Sequence, residues 1–158
     1  MPSITNEPLP FGGASGPAPS EVLAKPVEPV RVAELMLMWR QAIIVKNPEP
    51  VERLDRLFAE RANDFLPALM VSAETDPEER VRSFSTRVLG KLRKADSIEV
   101  LRRLLSDRSV FVRSNAAWAL GELTDHQARA TLLRLEQRDP SPLVRKSAGE
   151  SRRKIEGG

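Results

Sequence analysis

The sequence predicts an all-α protein, a short α-solenoid of stacked helix pairs with one extra helix and a Pro-rich leader in front. Three observations predict it. From residue 47 the chain repeats itself, with unit starts 29, 31 and 32 residues apart. Within each unit apolar residues recur at three- and four-residue spacing. The composition, 30% charged and 4% aromatic with no Tyr, is that of helices rather than sheets. At 158 residues, one core is expected rather than two.

Residues 1–29 hold seven of the thirteen prolines and three of the eight glycines, with little large and apolar beyond Ile4, Leu9, Phe11 and Leu23. Such a segment cannot bury enough surface to offset its ordering entropy, so a flexible Pro/Gly-rich leader is expected. The sharper alternative is a linear motif around Leu9, Pro10 and Phe11 that orders on a partner. There is no basic stretch followed by an apolar one, as export requires, and no run of roughly 18 apolar residues. A soluble, cytoplasmic protein is expected.

A helix over 30–46 follows, with Val32, Leu35, Met36, Trp39, Ala42 and Ile43 on one face, stopping before Asn47 and Pro48. Val30, Leu37 and Ile44 lie off that face. A helix apolar on more than one side needs cover on more than one side, and core membership between neighbours is the expectation.

The repeat units, 47–75, 76–106, 107–138 and 139–158, open on Asn47-Pro48, Asp76-Pro77, Asp107-Arg108 and Asp139-Pro140, with Val81-Arg82, Val112-Arg113 and Val144-Arg145 following in the last three. Val88-Leu89-Gly90-Lys91-Leu92 aligns with Ala119-Leu120-Gly121-Glu122-Leu123. Asp or Asn is expected to cap the first helix of each unit, with Pro tolerated at the next position because its missing N–H has no helical partner there. At about 100° per residue, Val112, Ala116, Ala119, Leu120 and Leu123 share one face, the buried stripe of a first helix. Asp96 and Asp125 are expected to cap second helices carrying Leu101 and Leu104, and Leu132 and Leu135. Asn63 or Asp64 begins the corresponding helix of the degenerate first unit. No such pair can cover its apolar face alone, so the copies must stack.

The string Asp-Pro, Val-Arg, then Ala-Leu-Gly resembles the HEAT-like repeat of bacterial HEAT-repeat proteins and of phycobilin lyase subunits, most clearly over 107–138. The last unit departs from it, with Arg153 where Gly90 and Gly121 stand, and Arg87 and Glu150 occupy the place of Trp118. The resemblance implies that Asp76, Asp107 and Asp139 with Arg82, Arg113 and Arg145 form a structural ladder between units. It is specific for fold and unspecific for function.

Gly90 and Gly121 each cost about 1 kcal/mol in a helix relative to Ala, which points to close helix packing or a break at the helix end. Phe111 and Trp118 lie seven residues apart, off the buried stripe. They suit a partner-binding surface, together with Arg87 and Lys91 on the same helix face of the unit before. Burial between neighbouring units accounts for the two aromatics equally well.

The net charge of +3 is uneven, with +4 in residues 76–138. Acidic residues interrupt the basic ones throughout, so solvated helix faces are the first reading and a nucleic-acid backbone site the second. Cys is absent and the single His126 follows a helix cap, so no thiol, metal, cofactor or catalytic constellation is expected. The leading expectation is a non-catalytic protein–protein interaction scaffold or adaptor within a larger assembly. A nucleic-acid-binding module is the alternative, and the resemblance adds a subunit of a bilin lyase type complex.

Overall fold

The computed structural model describes residues 26–157. The motif at Leu9, Pro10 and Phe11, and the leader up to residue 25, lie outside the described residues. Eight α-helices follow in order: α1 Pro29–Ile44, α2 Pro48–Glu60, α3 Ala62–Thr75, α4 Glu79–Leu92, α5 Ile98–Leu104, α6 Val110–Glu122, α7 Arg129–Arg138 and α8 Pro142–Glu156. Single 3₁₀ turns at Ala95–Ser97 and His126–Ala128 lead into α5 and α7, and the described residues contain no strand. Pro29, Pro48 and Pro142 each open their helix, where a missing N–H leaves no bond unmade.

Because a single pair cannot hide its apolar stripe, the first helices α4, α6 and α8 pack side by side, and α3, α5 and α7 pack against the first helix of the next unit. One continuous core results, from Leu35 and Trp39 through Leu69, Leu89, Leu101 and Leu120 to Ile155. The stripe of α6 is buried at Val112, Ala116, Ala119 and Leu120.

The two glycines explain how closely the first helices approach. A Cβ on Gly90 would stand 2.5 Å from Trp118 Cζ3 and 2.7 Å from Ala119 Cβ, and one on Gly121 would stand 2.6 Å from Ser151 Oγ and 2.7 Å from its Cβ. The helix ends are made elsewhere, by Arg93 and Thr124, which take the left-handed conformation at φ 49° and 51° just past α4 and α6. Gly121→Ala would raise helix propensity by about 1 kcal/mol but must push α8 away, and overpacking of this kind costs about 1–3 kcal/mol. A net loss in urea unfolding is expected, relieved by adding Ser151→Gly. A more stable single variant would show that the contact has slack.

Asp76, Asp107 and Asp139 do not cap the helices directly, contrary to expectation. The N-caps are Glu78, Ser109 and Ser141, and each Asp accepts instead from the backbone N–H two residues on, at 2.9, 2.7 and 2.9 Å. The turn leaves the carboxylate free to face the preceding unit as well. Arg82 fills that role at Asp107: Nε and Nη2 both donate to its carboxylate at 3.1 Å, while Nη1 donates to the carbonyls of Asp76 and Pro77. Arg113 repeats the pattern with Asp139 at 2.9 and 3.1 Å and with the carbonyls of Asp107 and Arg108. Arg145 makes only the inner half, to the carbonyls of Asp139 and Pro140. Burial works against the Asp139 charge, but the hydrogen bonds from Arg113 and Ser141 and the charges of Arg113 and Arg145 together hold its carboxyl below the usual aspartate range. Its stabilising contribution is present above that range and is lost as pH falls through the folded-state value.

The first rung comes from outside the repeats. Arg40 of α1 donates from Nε and Nη2 to Asp76 at 2.8 and 3.2 Å. Arg53, which stands six residues after Asn47 as Arg82 stands after Asp76, pairs among the described residues only with Glu49, on the surface. α1 is anchored by Trp39, fully buried edge-on against Phe58 and donating from Nε1 to Asp55 at 2.9 Å. Among the described residues its other side is left exposed: Val30 and Leu37 are 72% and 65% exposed and Ile44 also faces out, so these residues do not supply the expected two-sided burial. α1 packs against α2, α3 and α4 through one face only.

Candidate functional site

The close packing of α4, α6 and α8 is not continued to α2, which lacks a glycine at the seam and touches α4 only lightly. The seam between α2 and α4 therefore opens into a row of adjoining depressions of about 600, 470 and 380 Å³, and Lys91 lines all three. The depression of about 470 Å³, at the end of the row and closed on a third side by the end of α1, has Ile43, Val51 and Phe84 among its apolar walls and Lys46, Arg80 and Arg87 at its rim.

Electrostatics sets this seam apart from the rest of the surface. Elsewhere the basic side chains are largely engaged: Arg93 and Lys154 both pair with Glu122, Arg103 with Glu74, Arg152 and Arg153 with Glu136, and Arg102 with Asp125. Among the described residues Arg80, Arg87, Lys91 and Lys94, on or just after α4, have no ion pair, nor do Lys46 and Arg56 beside the same seam. Arg108, Arg134, Arg138 and Arg145 are the unpaired basic residues farther along the stack. The Arg87 guanidinium lies 4.8 Å from the Phe84 ring centroid, and its Nε is buried without an acceptor. A buried donor left unpaired costs about 1–3 kcal/mol.

Asp55, on the α2 wall, is half-buried. Burial pushes its carboxyl up, against the Trp39 hydrogen bond and the charges of Lys91 and Arg87, which pull it down. With the folded-state pKa raised, the contribution to stability is complete below the usual aspartate range and is lost as pH rises through the folded value. Asp55→Asn keeps an acceptor for Trp39, so it is expected to raise the thermal midpoint at pH 7 and to change it little near pH 3. A gain that is greatest in acid would contradict this assignment.

The four residues singled out by sequence all lie on the row of first helices, in different settings. Arg87 and Lys91 line the seam. Phe111, at the start of α6, is 55% exposed. Trp118 is half-buried; its ring edge reaches across to Gly90, in the turn of α4 between Arg87 and Lys91. It also borders a depression of about 250 Å³ towards α8, with Glu122, Ser147 and Lys154. The indole thus fills part of the α4–α6 joint and presents the remainder to solvent. Sequence reasoning missed Asp55, Phe84 and Lys46, because the α2–α4 gap arises from a packing distance no local pattern records. Among the described residues no group of three or more His, Asp or Glu is placed to hold a metal ion, and no helix is long and apolar enough to cross a membrane.

The chain matches the family model for HEAT repeats over residues 66–152, from within α3 to within α8. No curated protein matches it.

Proposed function

The chain belongs to the HEAT-repeat family, whose stacked helix pairs generally mediate contacts between proteins, and from that premise we propose that it is a non-catalytic scaffold or adaptor. It holds its protein partner on the face formed by α4 and α6, with the α2–α4 seam at one edge. Arg87, Lys91, Phe111 and the open edge of Trp118 make the contacts. The observation that carries this reading is the grouping on one helix row of an exposed Phe, a half-exposed Trp and the unpaired cations of α4. Elsewhere on the stack the basic side chains are mostly tied into ion pairs, so this is where charge and aromatic surface remain available together.

The double substitution Phe111→Ala and Trp118→Ala is expected to strip co-purifying proteins from the tagged full chain in its native cell while circular dichroism stays helical. Since Trp118 also fills the joint over Gly90, Phe111→Ser alone serves as the variant that leaves the stack intact. Retention of the same partners by both variants would refute the assignment. A nucleic-acid partner would instead show retention that falls steeply with salt and is abolished by nuclease.

A further inference from the structure

We propose that the α2–α4 seam receives an acidic segment of the protein partner, a carboxylate seating between Arg87 and Lys91 with an apolar neighbour against Val51 and Phe84. The proposal rests on the scaffold reading and specifies the chemistry of what is held.

Three features point to a carboxylate flanked by apolar side chains. The first is the unsatisfied charge: Lys46, Arg80, Arg87 and Lys91 line the depression at the α1 end of the seam and have no ion pair among the described residues, against Glu52 and Asp55 on the facing wall. Asp55 is already committed to Trp39. The second is Arg87 Nε, a buried donor whose guanidinium rests on Phe84 beside the groove and which has no acceptor. In the ladder the guanidinium edges of Arg82 and Arg113 each take an Asp carboxylate through Nε and Nη2, and Arg87 lacks that partner. The third is the lining. Val51 and Ile43 are buried apolar walls, which suit a side chain such as Leu and offer nothing to a phosphate backbone.

The test uses the full chain, ¹⁵N-labelled for NMR and unlabelled for fluorescence anisotropy. The probes are a peptide alternating pairs of Glu with Leu, the same peptide with Gln for every Glu, and single-stranded oligothymidine. The acidic peptide is expected to bind at least about tenfold more tightly than its Gln counterpart and to shift the Arg87 Nε–H resonance. R87Q/K91Q is expected to weaken it by about tenfold or more, and R134Q, on the outside of α7, to leave it unchanged. Should R87Q/K91Q unfold, K91Q alone, at an exposed position, is expected to lose about threefold. Equal binding of the two peptides, no binding of either, tighter binding of oligothymidine, or indifference to K91Q would each overturn the proposal. If native partners still depend on Phe111, such a result leaves the scaffold reading standing. If the peptide seats as expected but native partners ignore every one of these residues, the scaffold reading falls instead.

Discussion

Arg82→Ala is expected to lower the free energy of unfolding by about 3–5 kcal/mol, the cost of breaking a buried ion pair by removing one partner. Arg82 is 3% exposed and holds four acceptors from two units. Its removal leaves Asp107 with the Ser109 N–H as its remaining bond, in a site too enclosed for water to replace a guanidinium freely. Arg145→Ala provides the control, because Arg145 makes the same two carbonyl bonds and, among the described residues, pairs with no carboxylate of a following unit. That variant is expected to lose about 1 kcal/mol, so the difference isolates the bond between units. Urea denaturation of both, with Asp107→Ala closing a double-mutant cycle, checks the figure. Equal losses for Arg82→Ala and Arg145→Ala would mean that the ladder joins each unit to itself and not to the next.

Trp39→Ala is expected to cost about 3–5 kcal/mol through the cavity it leaves, and to loosen α1 as a whole. Trp39 is fully buried against Phe58, which in turn meets Phe65 at 4.6 Å between ring centroids, the rings tilted by 42°. The substitution also strips Asp55 of its donor and weakens the frame that aims Arg40 at Asp76. Hydrogen exchange should then show the α1 amides opening well before those of α6. Trp39→Phe separates the two contributions: it retains most of the ring and loses only the N–H bond, worth about 1 kcal/mol. If Trp39→Ala changes stability by under about 1 kcal/mol, α1 is an appendage and not part of the core.

Much of the architecture was legible because it repeats. The recurrence of Asp and Val-Arg marked the starts of α4, α6 and α8 and singled out Arg82, Asp107, Arg113 and Asp139, since a stacked unit must present the same residues to each neighbour. Gly90 and Gly121 were legible as residues of either close packing or a helix end, and the contacts with Trp118, Ala119 and Ser151 select the first. What escaped depended on breaks in the repeat. Arg53 stands where the periodicity expects a ladder residue, yet Arg40 makes the rung, because α1 lies alongside α4 and α2 does not close against it. Nothing in α1 itself announces this, since its partner lies 36 residues away. The exposed Val30 and Leu37 were misjudged because an apolar periodicity shows that a face exists and not that anything covers it. Asp76 was read as a helix cap because cap and Asx turn share the same residue type, and only the geometry three residues on separates them.

The way Arg40 reaches past α2 to Asp76 has a mechanical corollary. The tie-rods run from α1 to the turn before α4, then on to the turns before α6 and α8, with α2 outside the line. Tension applied between the two ends would load these struts in series and pass α2 by. The first helix α2, on one side of the seam, carries no strut of this line and is held instead to α1, through Asp55 and Phe58 against Trp39.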